Sequence, residues 1–436
     1  MNYKNAIVLG GGISGLLISK VLSNKYEKVI IIEKDELEDR PEVRQGQSHG
    51  GQFHVLLLRG LKTMEYYFQG ITEELKNSGA VDLDLGDGAY WYSYEGVKQN
   101  ITTDINTLLS SRKLIDYAVR KRVEKIPNVQ ILDKTKYIDF IQKNGKISGV
   151  IVKSKNSKEY ELESDLVIDA TGRGSLTPKW LENNNYPKPE EEKTIVNITY
   201  KTAIYSRPEG GLQKGKMMMY SPKPPEKIGV VIQPIENNKN LVCVAGWHRE
   251  DPPVDEELLE FVKQLPDKTF YNVLVDCQKE SDFVAYKVPH CSRRYFEKLT
   301  EFPEGLLPIG DVICNLNPTH GQGITAACLQ VEIFEELMKK HDPAKMSKIY
   351  FKKIAKIIDQ CWSASAYENF RYEETVGKKP KGVNLINKYM DAIHKAANKN
   401  GYVYGELVKV SVMIKPAVSL FSPFFLWKVF AANMRK

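Results

Sequence analysis

The first forty residues constrain this chain more than any other stretch. Ala6–Leu9 is a short apolar run, and Gly10, Gly12 and Gly15 follow it as G-x-G-x-x-G. The chain then continues LLISKVL, with apolar residues at helical spacing. Lys28–Lys34, KVIIIEK, is a second apolar run that carries Glu33 at its end, eighteen positions after Gly15. Strand, glycine turn, helix, strand and terminal acid in this order predict a Rossmann-like βαβ unit that binds a dinucleotide. Gly10 permits the tight turn, Gly12 lets a diphosphate approach the backbone, and Gly15 lets helix and strand pack closely. Free N–H groups and the positive end of the helix dipole then meet the phosphates. Glu33 lies where an acid meets a ribose hydroxyl, with Lys34 beside it. This motif does not separate a nicotinamide from a flavin, and a glycine-rich turn of a flavodoxin-like sheet remains the structural alternative.

With 436 residues, the chain has room for two or three domains. Lys and Arg total 62 against 55 acids, a net +7, and the basic residues are scattered. Nucleic-acid binding needs a concentrated basic stripe, so that class is set aside. The six cysteines show neither CxxC spacing nor paired histidines, which gives no metal site and points to a reducing compartment. No signal-peptide pattern precedes the first strand, and no run reaches the roughly 20 apolar residues needed to span a bilayer. The expected location is the cytoplasm.

Two further stretches choose between the cofactors. Ser164–Leu181, SDLVIDATGRGSLTPKWL, is an apolar strand that runs into Asp169, Gly172 and Ser175. Glu304–Met338 reads strand, Gly310-Asp311, a loop with Pro318, Gly321 and Gly323, then an amphipathic helix from about Gly323. In order and spacing, the three stretches resemble the fingerprints of FAD-dependent monooxygenases with the para-hydroxybenzoate hydroxylase fold. Arg40–Leu61 and Ser110–Val123 fit the same superfamily, nearest its antibiotic-pathway hydroxylases and squalene-epoxidase-like olefin epoxidases.

The resemblance implies an FAD-binding domain, with Asp311 on the ribityl chain and Pro318 and His320 near the isoalloxazine. Gly321 and Gly323 would close on the ring, Arg112 would reach the phosphates or ribityl region, and Asp169 and Gly172 would shape the middle of the cleft. The helix after Gly323 would favour the anionic reduced flavin. It further implies insertion of one oxygen atom from O2 into an apolar small molecule through a flavin C4a-hydroperoxide. A reductase or dehydrogenase of the same fold, acting on a lipid without oxygen transfer, is the alternative. Gly310-Asp311-Val312-Ile313-Cys314 lacks the histidine that many hydroxylases carry there, and no halogenase signature is found. No second G-x-G-x-x-G follows a strand, so NAD(P)H binds transiently or a separate flavin reductase delivers electrons. Arg40 and Arg44 are candidates for a nicotinamide phosphate or for FAD phosphate. No side chain is assigned as catalytic, because the flavin carries the chemistry. His320 and His54 read more simply as structural histidines.

The expected organisation is an FAD-binding domain in 1–190 and 291–340, a mostly antiparallel substrate sheet in 191–290, and a helical region in 341–436. Met217, Met218 and Met219 are either sheet core or a pliable pocket lining. In the tail, Phe421, Phe424, Phe425, Leu426 and Trp427 sit beside Lys428, Arg435 and Lys436. That segment either packs over the flavin domain or makes a peripheral membrane contact. Oligomeric state is not readable from the chain.

Overall fold

The protein is described by a computed structural model covering residues 3–155, 157–208 and 216–434. Its organising element is a five-stranded parallel sheet. The strand order is Leu306–Pro308, Leu166–Asp169, Tyr3–Leu9, Tyr26–Ile32 and Val129–Leu132. Both faces of such a sheet are covered, so its strands are apolar throughout rather than alternating. Val8, Val29, Ile31 and Leu166–Ile168 are all 0% exposed. Helices Ile13–Leu22, Arg112–Glu124 and Gly323–Met338 pack on this sheet's flank. A three-stranded antiparallel sheet, Thr135–Lys143, Lys146–Ser154 and Tyr160–Glu163, adds Ile147, Val150 and Val152 to the same core.

A second, nine-stranded sheet is built around the 16-residue strand Glu191–Ser206, which pairs antiparallel with Lys239–Gly246 and Val284–Arg294. Alternation sets its two faces. Leu241, Cys243 and Ala245 pack toward the core of the parallel sheet, whereas Val242 and Val244 lie with Leu258 and Phe270 of helices Asp255–Gln264 and Thr269–Val275. This sheet is not confined to 191–290. Ala89–Ser93 joins it by parallel pairing with Met217–Tyr220, and Cys314–Asn315 and Val376–Gly377 add to it from downstream. Pairing between segments more than a hundred residues apart leaves no trace in local periodicity. Met217 packs among residues of the tail and Met218 among those under the helices, so these methionines are core on opposite faces.

The C-terminal region is helical: Ser347–Asn369, Val383–Ala397, Gly401–Ser411 and Pro423–Met434. Tyr404, Leu407, Val408, Phe425 and Val429 form a separate core with Val55, Leu57, Leu83 and Leu109. The tail therefore packs on the body of the protein through one face.

Candidate cofactor cleft

The glycine turn divides its tasks as elementary sterics require. Gly10 has φ +99°, and a Cβ there would lie 2.6 Å from the Ala170 carbonyl oxygen. At Gly15 a Cβ would lie 1.9 Å from the Gly10 carbonyl oxygen. Gly12 differs: a Cβ there would meet nothing within 4 Å. It precedes helix Ile13–Leu22 in extended conformation, with no side chain capping the helix N–H groups. Gly10 and Gly15 are thus packing positions, and Gly12 faces open space.

Backbone bonds stitch the second and third segments to this turn. Ala170 N–H donates to Leu9 O at 2.9 Å, and Ile309 N–H donates to Asp169 O at 2.9 Å. Asp169 is buried, and both its oxygens are used inside its own loop. One accepts from Thr171 N–H at 3.0 Å and Thr171 Oγ1 at 2.5 Å, the other from Ser175 Oγ at 2.5 Å and Thr177 Oγ1 at 2.6 Å. Asp169 therefore holds the loop in shape. Gly172, with φ +79°, has the Asp311 Cβ at 4.0 Å as its one neighbour, and Gly174 has none within 4 Å.

Asp311 stands out within a buried stretch. Gly310, Val312 and Ile313 are enclosed, but the Asp311 side chain is open to solvent. It nevertheless lies deep between protein segments, and that crowding raises its carboxyl above the usual range, partly opposed by Arg173 and Arg112. Gly310 N–H donates to Gln330 Oε1 at 2.9 Å, tying the segment to helix Gly323–Met338. Before that helix, Asn317 caps the Pro318–His320 turn by accepting from Thr319 N–H at 3.0 Å. Gly321 turns with φ +63°, and neither Gly321 nor Gly323 would place a Cβ against anything within 4 Å. Pro318 is exposed here. His320 Nε2 is buried without a hydrogen-bond partner, and burial pushes its pKa down, so the ring is neutral.

The end of the glycine turn beside Glu33 carries a pairing that the sequence did not reveal. One Glu33 oxygen accepts from Gly11 N–H at 2.8 Å and from Arg44 Nη1 at 3.0 Å, and the other accepts from Asp35 N–H at 3.0 Å. Arg44 also donates to Gly11 O at 3.1 Å. Glu33 and Arg44 thus brace the turn together. Beside them a cleft of mixed charge is lined by Arg40, Arg44, Lys113 and Arg120 together with Glu38, Glu42 and Asp116. Arg40 is exposed and pairs loosely with Glu42 at 3.6 Å; Lys34 is exposed and does not line that cleft. Arg112 is buried and donates to Asp116 at 2.8 Å. Arg173, also absent from the sequence reading, donates to Asn315 Oδ1 at 3.1 Å and acts electrostatically on Asp311.

Toward the nine-stranded sheet lie His49, His54 and Tyr286, with ring centroids 6.0 Å apart for His49–His54 and 6.1 Å for His49–Tyr286. Burial lowers both histidines, His54 to about 4, and the Arg112 charge adds to the effect. Tyr286 is in register with Tyr200, whose hydroxyl is buried without a partner.

The residues present fit FAD. Gly12, Gly174, Gly321 and Gly323 each leave open space where a Cβ would stand, and the charges of Arg173 and Arg112 act on Asp311. Among the described residues no cluster suits a metal ion. Fold and cleft together define an FAD-dependent oxidoreductase of the para-hydroxybenzoate hydroxylase fold. The family model described as FAD binding domain matches residues 3–330, and the chain belongs to that family. Protein Rv3254 of Mycobacterium tuberculosis (strain ATCC 25618 / H37Rv) is 26% identical over 351 residues, which is 78% of this chain and 74% of that protein. A flavoprotein/dehydrogenase from Cytophaga hutchinsonii superposes with a TM-score of 0.69 at 14% identity, covering 99% of both chains. The p-nitrophenol 4-monooxygenase PnpA from Pseudomonas putida DLL-E4 gives 0.65 at 16% identity, covering 94% of this chain and 97% of that one. At these identities the structural likeness is one of fold.

Proposed function

We propose that this chain is an FAD-dependent monooxygenase that inserts one oxygen atom from O2 into an apolar small molecule, by hydroxylation or epoxidation. The observation that carries this reading is the set of open glycine positions, Gly12, Gly174, Gly321 and Gly323, and the exposed Asp311, together with the apolar inner face of the nine-stranded sheet. Val196, Ile198, Leu241 and Val288 of that sheet share one core with the parallel sheet. Bound FAD supplies the redox chemistry and the activation of O2.

The chain's own residues then have definable tasks. Gly12 and the uncapped start of Ile13–Leu22 would take the diphosphate. Asp311 would accept from ribityl hydroxyls. The start of Gly323–Met338, with Arg112 and Arg173, would favour negative charge on the reduced ring. The apolar sheet excludes water from the reacting centre. His54 Nδ1 lies 2.9 Å from Gln52 O, which assigns the proton to Nδ1 and leaves Nε2 as an acceptor. Tyr200 offers a buried, unpaired hydroxyl that can orient a substrate. Electrons would come from NAD(P)H or a separate flavin reductase.

The test is turnover under 18O2 with NAD(P)H, with and without a flavin reductase, across apolar arenes and olefins. One 18O atom in the product, with O2 consumed in proportion, supports the proposal. A reductase or dehydrogenase is the second reading, favoured by the fold likeness to the Cytophaga flavoprotein/dehydrogenase. Anaerobic, substrate-dependent reoxidation of the reduced protein (reductase) or reduction of the oxidised protein (dehydrogenase), without oxygen incorporation in air, would establish that reading instead.

A further inference from the structure

The last helix is apolar on every side. Pro423–Met434 reads PFFLWKVFAANM, with Lys428 its one charged residue. Phe425, Val429 and Ala432 recur at helical spacing and are buried against the tail core. Opposite them, Trp427 is 57% exposed, Phe430 65% and Met434 69%. Phe424, Phe421 and Val418 extend the exposed surface into the preceding Ala417–Phe421 turn. A helix without a polar face is stable in water only when its outer side is covered.

Charge indicates what covers it. From Leu407 to the end of the sequence there is no acid, while Lys409, Lys415, Lys428, Arg435 and Lys436 are basic. The nearest preceding acid, Glu406, is occupied by Lys409 at 2.9 Å and Lys415 at 2.7 Å. Lys428 Nζ lies 5.0 Å from the Trp427 ring centroid and 5.2 Å from that of Phe424, so its charge sits over the exposed aromatics. Tyr402 adds a half-exposed aromatic ring against Phe424, with centroids 5.4 Å apart. Trp, Tyr and Phe bordered by Lys are the side chains that settle at the headgroup level of a bilayer. The helix has 12 residues, about 18 Å in length, and no helix among the described residues is long and apolar enough to cross a membrane. It can lie in the interface but not span it.

We propose that the face formed by Val418, Phe421, Phe424, Trp427, Phe430 and Met434 docks this protein on an anionic lipid surface, with Lys428 at the headgroups. This inference does not depend on the flavin chemistry. The experiment is co-sedimentation of the full chain with phosphatidylcholine vesicles, with and without phosphatidylserine, at low and high salt. The wild type pellets with anionic vesicles at low salt, and high salt releases a large part of it. Trp427→Ser combined with Phe430→Ser lowers the bound fraction at least about tenfold, while circular dichroism and FAD absorbance stay unchanged. Lys428→Glu weakens binding about fivefold or more on anionic vesicles alone. No association of the wild type with either vesicle overturns the proposal. So does a wild-type dimer, detected by light scattering, that the double serine variant converts to monomer while vesicle binding is unchanged: the face would then belong to a second copy of the chain.

Discussion

Replacing Gly12 with alanine separates cofactor space from folding space. The residue is extended, at φ −80° and ψ 178°, a conformation any amino acid adopts, and the new methyl group would meet nothing within 4 Å. Alanine reduces the freedom of the unfolded chain, worth about 0.4–1 kcal/mol in favour of folding, and loses a similar amount as a poorer helix cap. The apo-protein should therefore melt within a few degrees of wild type. FAD binding should fall, because the methyl group occupies the approach of the diphosphate to the helix N–H groups. A hydrogen bond to a charged group is worth about 1.5–3 kcal/mol, so losing one weakens binding about tenfold to hundredfold. Gly15→Ala is the control. Its methyl group would sit 1.9 Å from the Gly10 carbonyl oxygen, backbone against backbone, at a cost of at least about 3 kcal/mol. The assay is flavin-fluorescence titration of deflavinated protein, paired with thermal melting by circular dichroism. Native FAD affinity in Gly12→Ala, or collapse of its apo fold, would refute the assignment of the open space at Gly12 to the diphosphate.

Three further outcomes are expected. Crowding by the surrounding segments raises the Asp311 carboxyl even though the side chain reaches solvent, so its ionised form is held at a cost in the apo-protein; that contribution is most favourable below the unfolded pKa and is lost as pH rises. Asp311→Asn should then raise the apo melting temperature at pH 7 while weakening FAD retention, and equal FAD retention would contradict the ribityl role. His49, His54, His320 and His394 are all pushed down by burial, His54 to about 4, so the unfolded chain binds more protons below its ordinary histidine pKa of 6.5. Stability should fall as pH drops from about 6.5 toward 4, read by urea unfolding across pH, and His394→Phe should flatten the slope. Arg293, fully buried, donates to Glu297 at 2.6 Å and lies 3.3 Å from Asp359 of helix Ser347–Asn369. Arg293→Leu should cost about 3 kcal/mol in urea unfolding, since Glu297 keeps its charge without its partner.

The elements around the cleft that rest on local chemistry were legible in the chain. The turn at Gly10–Gly15 opens its helix at Ile13, and the helix expected from about Gly323 begins there. Alternation over 194–206, 227–235 and 240–248 reads as strands, and the structure has Glu191–Ser206, Ile228–Ile235 and Lys239–Gly246 there, because one-sided packing imprints an alternating pattern. What periodicity cannot carry is pairing across distance. Ala89–Ser93 reached the second sheet through a partner at Met217–Tyr220, and Arg44 closed on Glu33 through a loop whose path no spacing rule fixes. Arg173 likewise became relevant once the parallel sheet had set its loop beside Asp311. A basic residue in each glycine-rich loop was the available signal, though many surface loops share it.

The register of the parallel sheet has a consequence for synthesis. Asp169 pairs with Leu9 on one side and with Pro308 on the other. The edge at Leu166–Asp169 therefore waits for a strand made roughly 140 residues later. At roughly 5–20 residues per second, a translating ribosome leaves that apolar edge bare for about 7–30 s. Asp311 and Gly323 emerge later still, so the nascent chain cannot use FAD to protect the gap. Yield in a heterologous host should respond to chaperones and slower, cooler growth, and hardly to added riboflavin.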